Sequence, residues 1–150
     1  MNKKLVAVAT ALSIGVTGIA FTVGAAGHSN SGDVVSARKM VMKNTGASMK
    51  AAGKMLGSGS FDANLAAALG RTLQSGAAAL PHLFPEGSFD GDTTAAPSIV
   101  GSDKFKELSA TLESAGLAMA VATDAASLGA AMKQAGSTCK ACHSEFRVLK

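Results

Sequence analysis

The last segment, Asp124–Lys150, reads D-A-A-S-L-G-A-A-M-K-Q-A-G-S-T-C-K-A-C-H-S-E-F-R-V-L-K. Leu128, Met132, Ala135, Cys139, Cys142, Phe146 and Leu149 recur in steps of three and four, the rhythm of a helix buried along one stripe, and Asp124 is placed to cap it. Inside that stripe lies a C-x-x-C-H run, Cys139, Cys142 and His143. Positions i, i+3 and i+4 share a helix face, so both thiols and the imidazole project together. Two thiols so spaced can reach the two vinyl groups of one porphyrin while the imidazole lies over its iron. In a chain with an exportable N-terminus the run therefore reads as covalent attachment of one haem c: Cys139 and Cys142 form the thioethers, and neutral His143 is the proximal ligand.

Three other readings compete. A redox C-x-x-C pair normally opens a helix within a strand-helix-strand unit, whereas this pair sits near a chain end in helical sequence. A zinc site needs about four ligands, and the other histidines, His28 and His82, are far away in sequence. A structural disulfide suits an exported chain with two cysteines, but the adjoining histidine and helical context favour thioether chemistry.

Working back from this helix, Phe105, Leu108, Leu112, Ala115, Met119 and Ala122 keep the same rhythm behind a cap at Ser102 or Asp103. Residues 81–101 hold all three prolines with Gly87, Gly91 and Gly101, which predicts a long connection. Before it, a helix starting near Ser60 or Asp62 carries Leu65, Leu69, Leu73 and Leu80 and stops at Pro81. The first helix shows a seam of Val35, Arg38, Met42, Thr45, Met49, Ala52 and Leu56 and ends at Gly57, Ser58 and Gly59. No segment alternates with a period of two. The fold expected is all-α, an antiparallel up-down four-helix bundle with covalently bound haem c between facing helices.

Lys3 and Lys4 precede an uncharged apolar run, Leu5 to Val23, and then Gly24, Ala25, Ala26 and Gly27, the layout of a secretory leader. The run is close to the ~20 residues that span a bilayer, so an uncleaved anchor is the competing reading. Gly15, Gly18 and the small-residue exit favour cleavage. With cleavage after Ala25 or Ala26, residues 1–26 form the signal peptide and residues 27–150 one haem-binding domain. The formal charge falls from +4 to +2 once Lys3 and Lys4 are removed, which argues against nucleic-acid binding. No stable membrane insertion is expected after cleavage. With no tryptophan or tyrosine and 4% aromatic residues, the chain supplies little flat apolar bulk of its own, and a porphyrin would supply it.

In an up-down bundle the first helix begins beside the end of the last. Counting from Asp33 and from Leu149 at ~1.5 Å per residue puts Met42 and His143 roughly 9 to 14 Å from the same end. Met42 is thus a candidate sixth ligand; its bland alternative is a core methionine. Met40 points to the other side of the helix and Met49 lies deeper. Arg38 is a charged residue on an apolar stripe and needs a partner: a haem propionate one turn from Met42, or solvent reached by snorkelling.

Three stretches, S-T-C-K-A-C-H-S-E-F-R (Ser137 to Arg147), A-R-K-M-V-M-K-N-T-G-A-S-M-K (Ala37 to Lys50) and L-F-P-E-G-S (Leu83 to Ser88), together resemble the cytochrome c′ family, the class II c-type cytochromes. The resemblance implies a periplasmic four-helix bundle, often a homodimer, with haem on the last helix and Arg147 near it. It implies two branches. In the high-spin branch a bulky apolar residue blocks the distal side, the iron is five-coordinate and small gases such as nitric oxide bind. In the low-spin branch a methionine four positions after the first-helix arginine, here Met42, ligates the iron of an electron carrier. Val100 departs from the family, where many members carry tryptophan.

The leading expectation is a non-enzymatic periplasmic monohaem carrier of one electron, with His143 and Met42 as axial ligands, Arg38 and Arg147 beside the haem, and redox proteins as partners. Lys39, Lys43, Lys133, Lys140 and Lys150 would form a basic rim for acidic partners, or simply a solvated surface. The alternative is a five-coordinate protein that binds nitric oxide or other small diatomic gases. A haem-storage bundle without a redox partner is the third reading.

Overall fold

The computed structural model describes residues 31–148; the leader expected over residues 1–26, Leu149 on the last seam and Lys150 on the basic rim lie outside the described residues. Four helices build the bundle: α1 (Ser31–Gly57), α2 (Ala63–Ala79), α3 (Asp103–Ala120) and α4 (Ala125–Phe146). Consecutive helices pack against one another, and α4 closes the ring against α1. The all-α, antiparallel up-down four-helix bundle is the observed fold, with no β-sheet among the described residues. None of the described helices is long and apolar enough to cross a membrane.

The caps follow the sequence. Asp62 accepts a hydrogen bond from the Leu65 amide at 2.9 Å, and the Ser102 hydroxyl accepts one from the Phe105 amide at 3.1 Å. Asp124 accepts from the Ser127 amide at 2.7 Å while the Ser127 hydroxyl accepts from the Asp124 amide at 3.2 Å, so two otherwise orphaned donors are satisfied reciprocally. Positive φ at Gly59 turns the chain out of α1.

The seam of α3 is buried throughout, from Phe105 through Leu108, Leu112, Ala115 and Met119 to Ala122. In α1 the packed stripe differs from the expected one. Val34, Arg38, Thr45, Ser48, Ala52 and Met55 are buried and Val41 partly so, whereas Val35 and Leu56 lie on the flank and Met42 is exposed. Arg38, Thr45 and Ala52 belong to both stripes and the alternate positions shift by one residue, ~100° of helix rotation, so the seam as a whole is turned by roughly half that, ~50°. In α2 the buried face is Ala66, Gly70, Leu73 and Ala77, continuing to Leu80, while Leu65 is exposed. Small residues win there because α2 and α3 cross closely. A Cβ on Gly70 would stand 2.2 Å from the Ala120 nitrogen, and one on Gly116 2.5 Å from the Gln74 nitrogen. Leu73, Met119 and Leu128 are the large side chains that this crossing and its α4 neighbour bury completely.

The long connection between α2 and α3 is ordered into two short 3₁₀ turns, Leu80–His82 and Pro97–Ile99, with irregular chain between them. An isolated antiparallel bridge joins Ala95 to Arg147: the Ala96 amide donates to Phe146 O and the Val148 amide to Thr94 O, both at 2.8 Å. The connection is thereby fixed to the end of the helix that carries the C-x-x-C-H run, and it becomes a wall of the site.

Candidate functional site

The start of α1, the start of α3, the end of α4 and the α2–α3 connection surround a cavity of about 340 Å³. Its apolar surface comes from Val35 and Met42 of α1, Phe84, Ala95 and Ile99 of the connection, Phe105 of α3 and Phe146 of α4. Three phenylalanines interlock edge to face across three elements: Phe84 and Phe105 have ring centroids 5.0 Å apart, Phe105 and Phe146 5.5 Å apart. Cys142, His143 and Arg147 complete the α4 wall.

Cys139 and Cys142 are unbridged and half-buried against the core. Burial raises the Cys139 thiol above its ordinary value. It pushes the Cys142 thiol further, to about 11, helped by the neighbouring Cys139 and Glu145 charges. His143 is shifted down, first by burial and then by the Arg147 cation, which favours the neutral imidazole that iron ligation requires. Among the described residues no group of three or more His, Cys, Asp or Glu is gathered around a point.

These features fit a covalent haem. The two thiols stand one helical turn apart on α4, the imidazole of that turn lines an apolar cavity, and three phenyl rings offer it flat packing surface. Cationic side chains from Arg38, Lys39 and Arg147 also line the cavity, where the polar edge of a porphyrin would seek them.

Arg38 does not snorkel. It is buried, 5% exposed, and burial lowers its pKa from the ordinary guanidinium value. Its Nε donates to Leu83 O at 2.5 Å, its Nη2 to Ser88 O at 2.8 Å and to the Ser88 hydroxyl, and its Nη1 weakly to the Thr93 hydroxyl at 3.4 Å. The guanidinium carbon also lies 4.6 Å from the Phe84 ring centroid and 5.2 Å from that of Phe89. Sequence reasoning marked Arg38 as needing a partner but did not find these. Ser88, Phe89 and Thr93 lie 50 to 55 residues away, in a connection that carried no helical rhythm to fix their position. Of the basic rim, Lys39 pairs with Asp92 on the same connection. Met40 is 62% exposed, as its place on the helix required.

Comparison with known proteins follows the same lines. The family model described as cytochrome c′ matches residues 33–147. A cytochrome c-556 of Agrobacterium fabrum is 37% identical over 120 residues, covering 77% of this chain and 82% of the relative. The solved cytochrome c′ of Rhodopseudomonas palustris is 35% identical with a TM-score of 0.68, covering 79% of this chain and 98% of that one. A nitric oxide complex of a mutant cytochrome c prime from Alcaligenes xylosoxidans shares the fold at 22% identity, with a TM-score of 0.72 over 83% of this chain and all of that one.

The expectation of joint His143 and Met42 ligation in a low-spin carrier is overturned by these matches, because the family is five-coordinate and high-spin with histidine as the only protein ligand. Equal height along the bundle does bring Met42 to the cavity wall, where it is 38% exposed, but height alone does not put its sulfur within bonding distance of an iron. Family members carry electrons or bind gases and are not enzymes. With its bundle, its single haem c bound through Cys139 and Cys142, and a matching family model over 33–147, this chain belongs to the cytochrome c′ family.

Proposed function

We propose that this chain is a periplasmic, five-coordinate, high-spin class II cytochrome that binds nitric oxide or another small diatomic gas at its haem iron. Residues 1–26 direct export and are removed, and residues 27–150 form the haem domain. His143 is the proximal ligand, Arg147 sits beside it, and the Nη1 group of Arg38, the least engaged of its nitrogens, faces a propionate. Redox proteins are the partners that set the oxidation state, and a homodimer is the expected assembly.

One observation carries the reading. Among the described residues His143 is the one histidine that lines the cavity, and the α1 wall near it carries Val35 and a half-exposed Met42. Bound haem would supply an iron, held by His143, that could take a neutral diatomic molecule. The chain supplies the rest. His143 holds one side, the phenylalanine cluster excludes water from the porphyrin edge, and Val35 and Met42 crowd the open side, so small neutral ligands enter and larger anionic ones do not.

Optical and resonance Raman spectra of both oxidation states test this directly, because they report spin and coordination. The ferrous protein is expected to be high-spin and to take up carbon monoxide in one step, without loss of a sixth ligand. Met42→Ala should leave the five-coordinate signature unchanged and speed carbon monoxide association by at least about tenfold, equivalent to ~1.4 kcal/mol of steric hindrance removed. A methionine-sulfur band in the oxidised wild type that disappears in Met42→Ala would refute the proposal.

A further inference from the structure

One guanidinium fastens three points of the α2–α3 connection, and these are evenly spaced at Leu83, Ser88 and Thr93. Two of the three flank the site from within: Phe84, next to Leu83, and Thr93 both line the cavity, whereas Ser88 does not. Beyond Thr93 the connection is pinned a second time, by the backbone pairing of Thr94 and Ala96 with the end of α4. The segment from Leu83 to Ala96 is thus a strap held by α1 at one end and by the haem-bearing helix at the other. Within the strap, Ser88 Oγ donates to Pro85 O at 2.5 Å, the Thr93 amide to Gly91 O at 3.0 Å and the Ala95 amide to Thr93 Oγ at 3.2 Å. Gly87 and Gly91, both at positive φ, add backbone freedom to the middle of it. Besides Arg38, the Leu83 amide on Leu80 O, the Lys39–Asp92 surface pair and the edge-to-face packing of Phe84 on Phe105 tie this segment to the bundle.

We infer that Arg38 is a specificity-determining positioning residue: by clamping Leu83, Ser88 and Thr93 it holds the strap as a fixed cavity wall and sets the largest ligand that can reach the iron. The inference rests on the gas-binding reading above and extends it from the iron to the wall. The role belongs to the fork geometry of arginine and not to its charge. Nε, Nη1 and Nη2 point to three different places on the strap while the planar face lies near two phenyl rings. A lysine ammonium is a compact charge on a flexible stem and cannot reach all of these at once.

Arg38→Lys in the full haem-loaded protein separates fork from charge, and Ser88→Ala removes one clamp point from a residue that does not line the cavity. Two probes are used, carbon monoxide and the bulkier n-butyl isocyanide, with hydrogen exchange of the strap amides read alongside. Expected in Arg38→Lys is isocyanide association faster by at least about tenfold, a larger factor than any change in carbon monoxide association, and faster exchange at Thr93 and Ala95. Ser88→Ala should move all three readouts the same way by less, and it serves if Arg38→Lys matures poorly. Wild-type isocyanide rates and strap exchange in both variants would overturn the inference while leaving the gas-binding reading intact. Full rescue by lysine would overturn it too, since charge alone would then suffice. A wild-type protein that takes up no carbon monoxide would remove the gas-binding reading and the size selection built on it together.

Discussion

The Cys139→Ala, Cys142→Ala protein should leave a maturation-competent host without covalent haem, lighter than the wild type by one such group and without its intense blue-region absorption band. Cys142 lines the cavity and Cys139 stands one turn before it on α4, packed against the core, and the sequence holds no other cysteine to replace them. His143 alone could still bind free haem reversibly through its imidazole, so extraction into an organic solvent is the discriminating step: thioether-bound haem stays with the polypeptide and ligated haem does not. The bundle should survive in part. Leu73, Met119 and Leu128, its fully buried large side chains, do not line the cavity, whereas Phe84, Phe105 and Phe146 do. Far-UV circular dichroism should therefore retain most of its helical signal while the cavity end loses fixed packing and binds a hydrophobic dye. Retained covalent colour in the double variant would contradict the thioether assignment.

How much of this could be read from the sequence depended on how many large apolar residues a segment carries. The α3 seam was legible because Phe105, Leu108, Leu112 and Met119 leave only one face that can be buried. In α1, by contrast, Val34 stands beside Val35 and Val41 beside Met42, so the pattern fits two stripes that share Arg38, Thr45 and Ala52 and lie roughly 50° apart. Packing against α2 chose the stripe through Val34 and Thr45 and left Val35 and Met42 to the cavity. A height count along the bundle brings Met42 to the cavity wall but is blind to whether its sulfur reaches an iron. Cys139, Cys142 and His143 were readable for the opposite reason: their chemistry is contained in five consecutive residues on one helix, where spacing alone fixes the geometry. Arg38 falls between the two cases. Its misfit with an apolar stripe was visible, but its partners are two backbone carbonyls and two hydroxyls in an irregular segment, groups that every such segment contains. What the sequence showed as a long, proline-rich connection is, in the folded chain, a strap pinned by that side chain and by backbone pairing with the end of α4.

Gly116→Ala should be among the most damaging single substitutions outside the haem site. The leucine-rich look of α2 concealed why: its buried face is small because the backbones of α2 and α3 nearly touch. An alanine Cβ at 116 would lie 2.5 Å from the Gln74 nitrogen and 2.8 Å from its Cα, and at 70 it would lie 2.2 Å from the Ala120 nitrogen. These neighbours are backbone atoms, so no side-chain rotation relieves the clash and the helices must separate. Separation uncovers the contacts around Leu73 and Met119, so the cost should reach about 3 kcal/mol or more, the upper end for overpacking. Against a total stability of about 5–15 kcal/mol, that is a large share. Chemical denaturation of the haem-loaded protein should show it as a lower midpoint with an unchanged slope, and Gly70→Ala should behave in the same way. Gly136→Ala provides the control. Nothing lies within 4 Å of a Cβ there, and relief of the glycine penalty in a helix should make that variant neutral or more stable by about 0.5–1 kcal/mol. If Gly116→Ala and Gly136→Ala unfolded at the same denaturant concentration, the close α2–α3 crossing would not be what holds the bundle together.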